Sequence, residues 1–276
     1  MRKAKIQEVL AMTFVLAVVV SFATTGIALA KDEHEKATGT LRTILDKGLD
    51  SPKGEHDKPP AKAKPKAKEH HVAAASGHDV AGISADEAMK KLTEGNRRYA
   101  AGKTRNPGRT VERRAEVAQE QHPFAVIVSC SDSRVPPEVI FDQGVGDLFV
   151  VRTAGHVAEN AAIGSIEYAV EHLGAKLIVV LGHKRCGAVD ATVKGGEAPG
   201  HIKDIVEAIK PAVERAKAKH GDLLDNAVKA NAKMVAQTLS SSKPILAEMV
   251  EDGMVKVVGG YYDLDSGAVS ITYNPH

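Results

Sequence analysis

The chain has 276 residues, room for one or two domains, and 43% hydrophobic residues, enough for an ordinary globular core. Its 37 Lys and Arg against 35 Asp and Glu leave a net charge of +2, which excludes nucleic-acid binding driven by bulk charge. Trp is absent and Tyr and Phe number five each, which disfavours stacking platforms, and two cysteines are too few for a disulfide-built scaffold.

Arg2, Lys3 and Lys5 precede an uncharged stretch from Val9 to Ala30, most apolar between Leu10 and Val20 and ending in Ala28-Leu29-Ala30. This layout predicts a secretory signal peptide over residues 1–30, hence a periplasmic protein with no stable membrane insertion after cleavage. An uncleaved anchor is the competing reading, since about 20 apolar residues span a bilayer. The short apolar core and the small-x-small end favour cleavage, and no cysteine follows to carry a lipid. Residues 31–82 include Lys58-Pro-Pro-Ala-Lys-Ala-Lys-Pro-Lys-Ala-Lys68, where prolines break helices and lysines repel. Such a segment buries too little apolar surface to offset its ordering entropy and is expected to be a disordered linker. His34, His56, His70, His71 and His78 fall here at irregular spacing, as solvated residues rather than a metal-scavenging tail. A turn of helix is the most that Leu41–Leu49 offers.

Order is expected to resume at Ile83. Ser84 followed by Glu87 reads as a capping box, opening a helix that runs to Gly102. A second helix covers Thr110–Gln119. Phe124–Ser129, Asp147–Arg152 and Lys176–Leu181 are short apolar runs of the kind that fill buried parallel strands. Between the last two lies a helix over Ala162–Leu173, closed by Gly174. Helices follow at Ala188–Val193, Ile202–Lys219 and Leu223–Leu239. Val255–Val258 and Ala268–Thr272 flank Asp265-Ser266-Gly267 as a hairpin. The alternation predicts an α/β fold for residues 83–276, with a mainly parallel central sheet flanked by helices.

The chemistry gathers after two of these strands. Cys130 follows the first, in Cys130-Ser-Asp-Ser-Arg134, and His183 and Cys186 follow the third, in Gly182-His-Lys-Arg-Cys-Gly187. Carboxyl ends of strands are where open α/β sheets place ligands. Two thiolates and an imidazole suit Zn2+, and three protein ligands leave a fourth position open, as in catalytic rather than structural sites. The plain alternative is a Cys130–Cys186 disulfide, which leaves His183, Asp132 and Arg134 unexplained. Asp132 has the chemistry to orient a metal-activated water, and Arg134 to hold that carboxylate ionised and in place. A surface ion pair or a helix cap is the competing reading of these two.

The segments Val128-Ser-Cys-Ser-Asp-Ser-Arg-Val-Pro-Pro-Glu138, Phe141–Gly155 and Gly182–Gly187 resemble the β-class carbonic anhydrases. The likeness runs from about Ser84 to the C-terminus, including Glu94-Gly-Asn-Arg-Arg98 and the Tyr262–Gly267 hairpin, and leaves out residues 1–82. It implies zinc on Cys130, His183 and Cys186, with Asp132 and Arg134 as the catalytic pair. In some members the equivalent aspartate becomes a fourth zinc ligand, so Asp132 is also a candidate ligand. The resemblance further implies substrate contacts from Gln121, which matches a plant-like subgroup, and from the Gly187 amide. The reaction implied is reversible hydration of carbon dioxide to bicarbonate. Hydrolysis of carbon disulfide or carbonyl sulfide is the alternative on the same fold, and a non-catalytic interaction module the alternative of another class. A homodimer or higher homo-oligomer is implied, with the Ser84–Gly102 helix reaching across to a neighbour. His156 stands where asparagine is frequent, as a structural residue or a proton relay. Arg152 matches an arginine of a second, regulatory bicarbonate pocket, but Ile127 replaces the tryptophan that the pocket uses.

Overall fold

A computed structural model describes residues 82–275; the expected signal peptide, the linker up to residue 81 and the turn at Leu41–Leu49 lie outside the described residues. In chain order the elements are α1 (Ala85–Ala100), α2 (Val111–Val117), β1 (Ala125–Cys130), α3 (Pro137–Ile140), β2 (Leu148–Thr153), a 3-10 turn (Ala154–His156), α4 (Asn160–Glu171), β3 (Leu177–His183), α5 (Gly187–Lys194), α6 (Ile202–Ala216), α7 (Leu223–Ser240), α8 (Ile245–Glu251), β4 (Lys256–Tyr262) and β5 (Val269–Tyr273). The sheet order is β2-β1-β3-β4-β5. β1 pairs in parallel with β2 and β3, β3 with β4, and the β4–β5 hairpin is antiparallel. The predicted α/β architecture is what forms.

Each strand of the sheet's centre splits its side chains between two apolar layers. Val126, Val128, Ile178, Val180 and Val257 pack with Ile166 and Val170 of α4 and with Ala232, Ala236 and Leu239 of α7. Ala125, Ile127, Leu177, Val179, Leu181 and Val258 face the other way, onto Ala88 and Leu92 of α1 and Ile140 of α3. A third cluster, with Ile209, Val213 and Val228, closes around Cys130 and Cys186.

Sequence and structure part at several places. β1 and β3 run one and two residues further than their apolar runs, so Cys130 and His183 end strands instead of following them. β2 is half-buried throughout, because it lies at the sheet edge with β1 as its only strand partner among the described residues. α3 and α8 were not legible as helices, and α6 stops at Ala216, short of Lys219.

The capping box forms: Ser84 Oγ accepts the Glu87 N–H at 3.2 Å, and the Glu87 carboxylate accepts the Ser84 N–H at 2.9 Å. α1 seats its buried stripe, with Ala88, Leu92, Gly95 and Asn96, on its own chain. The lack of a side chain at Gly95 lets the helix backbone come against the Phe141 carbonyl. Asn96 Nδ2 donates to the Ile140 and Gly267 carbonyls, and its Oδ1 accepts the Val269 N–H at 2.8 Å. Arg98 Nε donates to the buried Asp142 carboxylate at 2.6 Å. The Glu94–Arg98 segment therefore bolts α1 to both the α3 region and the hairpin.

Candidate metal centre

Three of the predicted residues meet at the carboxyl end of the sheet. β1 ends in Cys130, β3 ends in His183, and Cys186 is the residue from which α5 starts. All three are buried, and their ligand atoms lie within 4.8 Å of one another. The sulfurs are 4.0 Å apart and both cysteines are free, so the disulfide reading is set aside: a bond needs about 2.05 Å. The separation is instead close to the edge of a tetrahedron with zinc–sulfur bonds, roughly 3.8 Å for bonds of about 2.3 Å.

The imidazole is set up in the same sense. His183 Nδ1 lies 3.0 Å from the Lys184 carbonyl, which can only accept, so Nδ1 carries the hydrogen and Nε2 keeps its lone pair. Nε2 is buried with no hydrogen-bond partner among the described residues. A lone pair in that position, beside two sulfurs, fits a borderline metal ion.

The two sulfurs are placed in opposite environments, and only that of Cys130 favours thiolate. Gly155, at φ 66° in the 3-10 turn, points its N–H at Cys130 Sγ across 3.3 Å. The Cys130 thiol is pulled down chiefly by the neighbouring Cys186 S–H, against its burial, with His183 and the Gly155 amide adding to the effect. Cys186 is pushed up by its sulfur neighbour and by burial, although the Ala188 and Val189 amides of α5 favour its ionised form. A metal ion removes that competition by binding both as thiolates.

Asp132 lies on the turn after β1 and faces the cluster, with Oδ2 3.7 Å from His183 Nε2. Its Oδ1 accepts the Arg134 N–H and Nε–H, both at 2.9 Å, and Oδ2 accepts Nη2–H at 2.7 Å. This fork of charge-assisted bonds holds the Asp132 carboxyl well below the usual carboxylate range, the Arg134 side-chain bonds being the largest cause. Asp132 stands apart from the three-residue cluster, and in this state its oxygens are committed to Arg134.

Arg152 holds the same turn from beneath. Its Nε donates to the Cys130 carbonyl at 2.9 Å and its Nη2 to the Asp132 carbonyl at 2.6 Å. Lys184 and Arg185, between His183 and Cys186, form ion pairs with Asp263 and Asp265 of the hairpin.

Gly187 is exposed at the first position of α5, where the amide has no intrahelical partner and the helix dipole is positive. Gln121 is exposed and precedes β1, at the end opposite Cys130. Five residue steps of strand amount to about 16 Å, so one chain does not bring Gln121 to the cluster. His156 is wholly buried, and burial lowers its pKa to about 4. A proton relay needs contact with water near neutral pH, so of its two readings only the structural one survives.

The Carbonic anhydrase family signature matches residues 125–269, which span every residue of this cluster. The chain is 44% identical over 184 residues to carbonic anhydrase 2 of Mycobacterium tuberculosis, covering 65% of this chain and 89% of that one. It is 43% identical over 188 residues to the carbonic anhydrase of Mycolicibacterium smegmatis, covering 67% and 91%. Among solved structures, the β-carbonic anhydrase CafA of Aspergillus fumigatus superposes with a TM-score of 0.54 at 28% identity, covering 69% of this chain and 92% of that one. The Coccomyxa β-carbonic anhydrase in complex with acetazolamide gives 0.52 at 28% identity, covering 57% and 75%. On this combined likeness of sequence, fold and ligand cluster, the chain belongs to the β class of the carbonic anhydrases, zinc enzymes of reversible carbon dioxide hydration.

Proposed function

We propose that this carbonic anhydrase is exported to the periplasm and works there as a homo-oligomer, with Cys130, His183 and Cys186 as its zinc ligands and Asp132 and Arg134 as its catalytic pair. The observation that carries the site assignment is the unpartnered, buried Nε2 of His183 between two free sulfurs and beside an Arg-fixed carboxylate. Zinc bound there supplies a Lewis acid that makes water a nucleophile near neutral pH.

The chain's own groups do the rest. With its proton held off by Arg134, Asp132 can only accept, so it takes a hydrogen bond from the attacking water and turns the water's lone pair toward carbon. The Gly187 N–H, backed by the α5 dipole, binds an oxygen of carbon dioxide or of the bicarbonate formed. Water and carbon dioxide give bicarbonate, and the proton passes to buffer. Gln121 joins this site only from a second copy of the chain, which is one reason for reading the enzyme as an oligomer.

Export rests on the Arg2–Lys5 charges, the apolar Leu10–Val20 stretch and the Ala28-Leu-Ala30 end. The plant-like subgroup reading rests on Gln121 and on Ile127, which is fully buried in β1 and has no N–H to offer a second bicarbonate. Arg152 is already bound to two carbonyls. Bicarbonate inhibition is therefore hyperbolic, with Asp132 staying on Arg134.

Zinc analysis, stopped-flow carbon dioxide hydration and inhibition by bicarbonate on the purified protein test these readings together. One zinc per chain, hydration activity and hyperbolic inhibition are expected. Full activity in metal-free chains overturns the ligand assignment, and sigmoidal inhibition the subgroup. A monomer in sedimentation, or a cytoplasmic protein on fractionation, overturns the assembly or the location.

A further inference from the structure

Besides His183 Nε2, three buried side-chain atoms have no hydrogen-bond partner among the described residues: Ser129 Oγ, His156 Nδ1 and Asn231 Oδ1. The last two belong to one pair. Asn231, buried on α7, donates from Nδ2 to the Gly155 carbonyl at 2.9 Å and meets His156 Nε2 at 2.9 Å. Exchanging its oxygen and nitrogen would set an acceptor against the Gly155 carbonyl, so the amide orientation is fixed. Since an NH2 group only donates, His156 Nε2 is the acceptor and the hydrogen sits on Nδ1, where it finds no partner.

Two buried polar atoms without a partner among the described residues call for a structural reason. The backbone beside it is also unusual: Gly155 has φ 66° and His156 has φ 47°, two consecutive left-handed residues, the second not a glycine. Such a bend persists only where its surroundings hold it. A side chain at Gly155 would meet Ile209 Cδ1 at 2.6 Å and Ala188 Cβ at 3.1 Å, so the bend is also gripped from α6 and α5. What the bend accomplishes is the aim of one N–H, that of Gly155, at Cys130 Sγ.

We propose that Asn231 and His156 are positioning residues of the metal centre: by clamping the Gly155–His156 bend they keep the Gly155 N–H on the Cys130 sulfur and so set how much charge that thiolate lends the metal. Neither residue touches a ligand atom through its own hydrogen bonds; both act through the Gly155 peptide. The inference rests on Cys130 being a zinc ligand. Partners of a ligand that orient it and tune its basicity change metal affinity by about 10- to 100-fold when lost.

The test uses the full-length zinc enzyme, with Asn231→Ala to remove both donated bonds and His156→Gln as the conservative variant. Gln Oε1 can stand where Nε2 accepts, so His156→Gln is expected to keep parental behaviour. For Asn231→Ala, competition against a chelator should show zinc bound about tenfold more weakly. In cobalt-substituted protein the thiolate-to-cobalt charge-transfer band should move to lower energy, because a sulfur without its N–H partner gives up electron density more readily. A lowered melting temperature with parental zinc affinity and an unmoved band overturns the proposal and leaves Asn231 a packing residue. If Asn231→Ala does not fold, Asn231→Ser, which retains one donor, is read by the same two measurements. A parent protein that binds no zinc overturns the ligand reading instead, and is recognised before any variant is compared.

Discussion

Replacing Asp132 by Asn separates what the carboxylate does for the fold from what it does for the reaction. In the native site Asp132 receives three bonds from Arg134, two on Oδ1 and one on Oδ2. An amide keeps the Oδ1 pair but turns the other end into an NH2 group, which faces Arg134 Nη2 as donor against donor. Arg134 is half-exposed although Asp132 is largely covered, so water replaces the lost bond on the Arg134 side, and the stability cost is about 1 kcal/mol. For a domain of this size that is at most about 4 °C in melting temperature. The three ligand residues are untouched, and zinc stays at one per chain. Catalysis loses far more, because the group facing the attacking water changes from acceptor to donor. Removing one preorganised hydrogen-bonding group costs about 2.7–4 kcal/mol of transition-state stabilisation, or 100- to 1,000-fold in kcat. Stopped-flow hydration, elemental analysis and a thermal melt on the same sample check all three expectations. A variant with full zinc and a kcat within twofold of the parent refutes the role given to Asp132.

Gly95→Ala sets two opposite effects against each other: Ala favours the helix by about 1 kcal/mol, while its Cβ would overlap the Phe141 carbonyl, a backbone atom that yields only if the α3 region moves. Overpacking costs about 1–3 kcal/mol, so the melting temperature should fall, and a rise would show that α1 is not seated as described. Asp142 is held below the usual carboxylate range: burial works against this, but the Arg105 and Asn106 amides and Arg98 outweigh it. Stability from such a lowered group is present above the unfolded value near pH 4 and lost as pH falls through the folded one. Melting temperature should therefore hold from pH 7 to 5 and drop below about pH 4, less steeply in Asp142→Asn; an identical drop in that variant would clear Asp142 of the effect. A chain beginning at Ala81 should fold and retain hydration activity, since no assigned site residue precedes it; loss of folding would show that residues 31–80 dock on the core.

The site was more legible than the fold's edges, for a physical reason. Cys130, His183, Cys186, Asp132 and Arg134 carry chemistry in their side chains, and their place after apolar runs was enough to bring them together. Element ends were harder because hydrophobicity marks burial and not hydrogen bonding: β3 continues through Gly182 and His183, which no apolar pattern includes. The half-burial of β2 depends on which strands neighbour it, and its run of Leu148-Phe-Val-Val151 reads like a central strand. Asn231 was invisible in an alanine-rich helix, where one amide looks like any exposed polar residue. Gly155 gave no signal either, since its contribution is a backbone N–H aimed by a bend. Gln121 was visible as a residue but not as a distance, because a match in sequence does not say which copy of the chain it serves.

The ion pairs between Lys184, Arg185 and the hairpin bear on how the enzyme holds its metal over time. Cys186 lies beyond the end of β3, after two residues anchored by partly exposed charges, whereas Cys130 and His183 are the last residues of strands paired on both sides. The site is thus kinetically lopsided. Fraying of the hairpin turn at Asp263–Asp265 loosens the segment that carries Cys186 while the sheet stays intact, an opening that needs less free energy than global unfolding. Because salt screens exposed pairs, metal escape to a chelator should quicken with ionic strength while the unfolding rate hardly changes. Equal salt sensitivity of the two rates would mean that the metal leaves only when the whole domain comes apart.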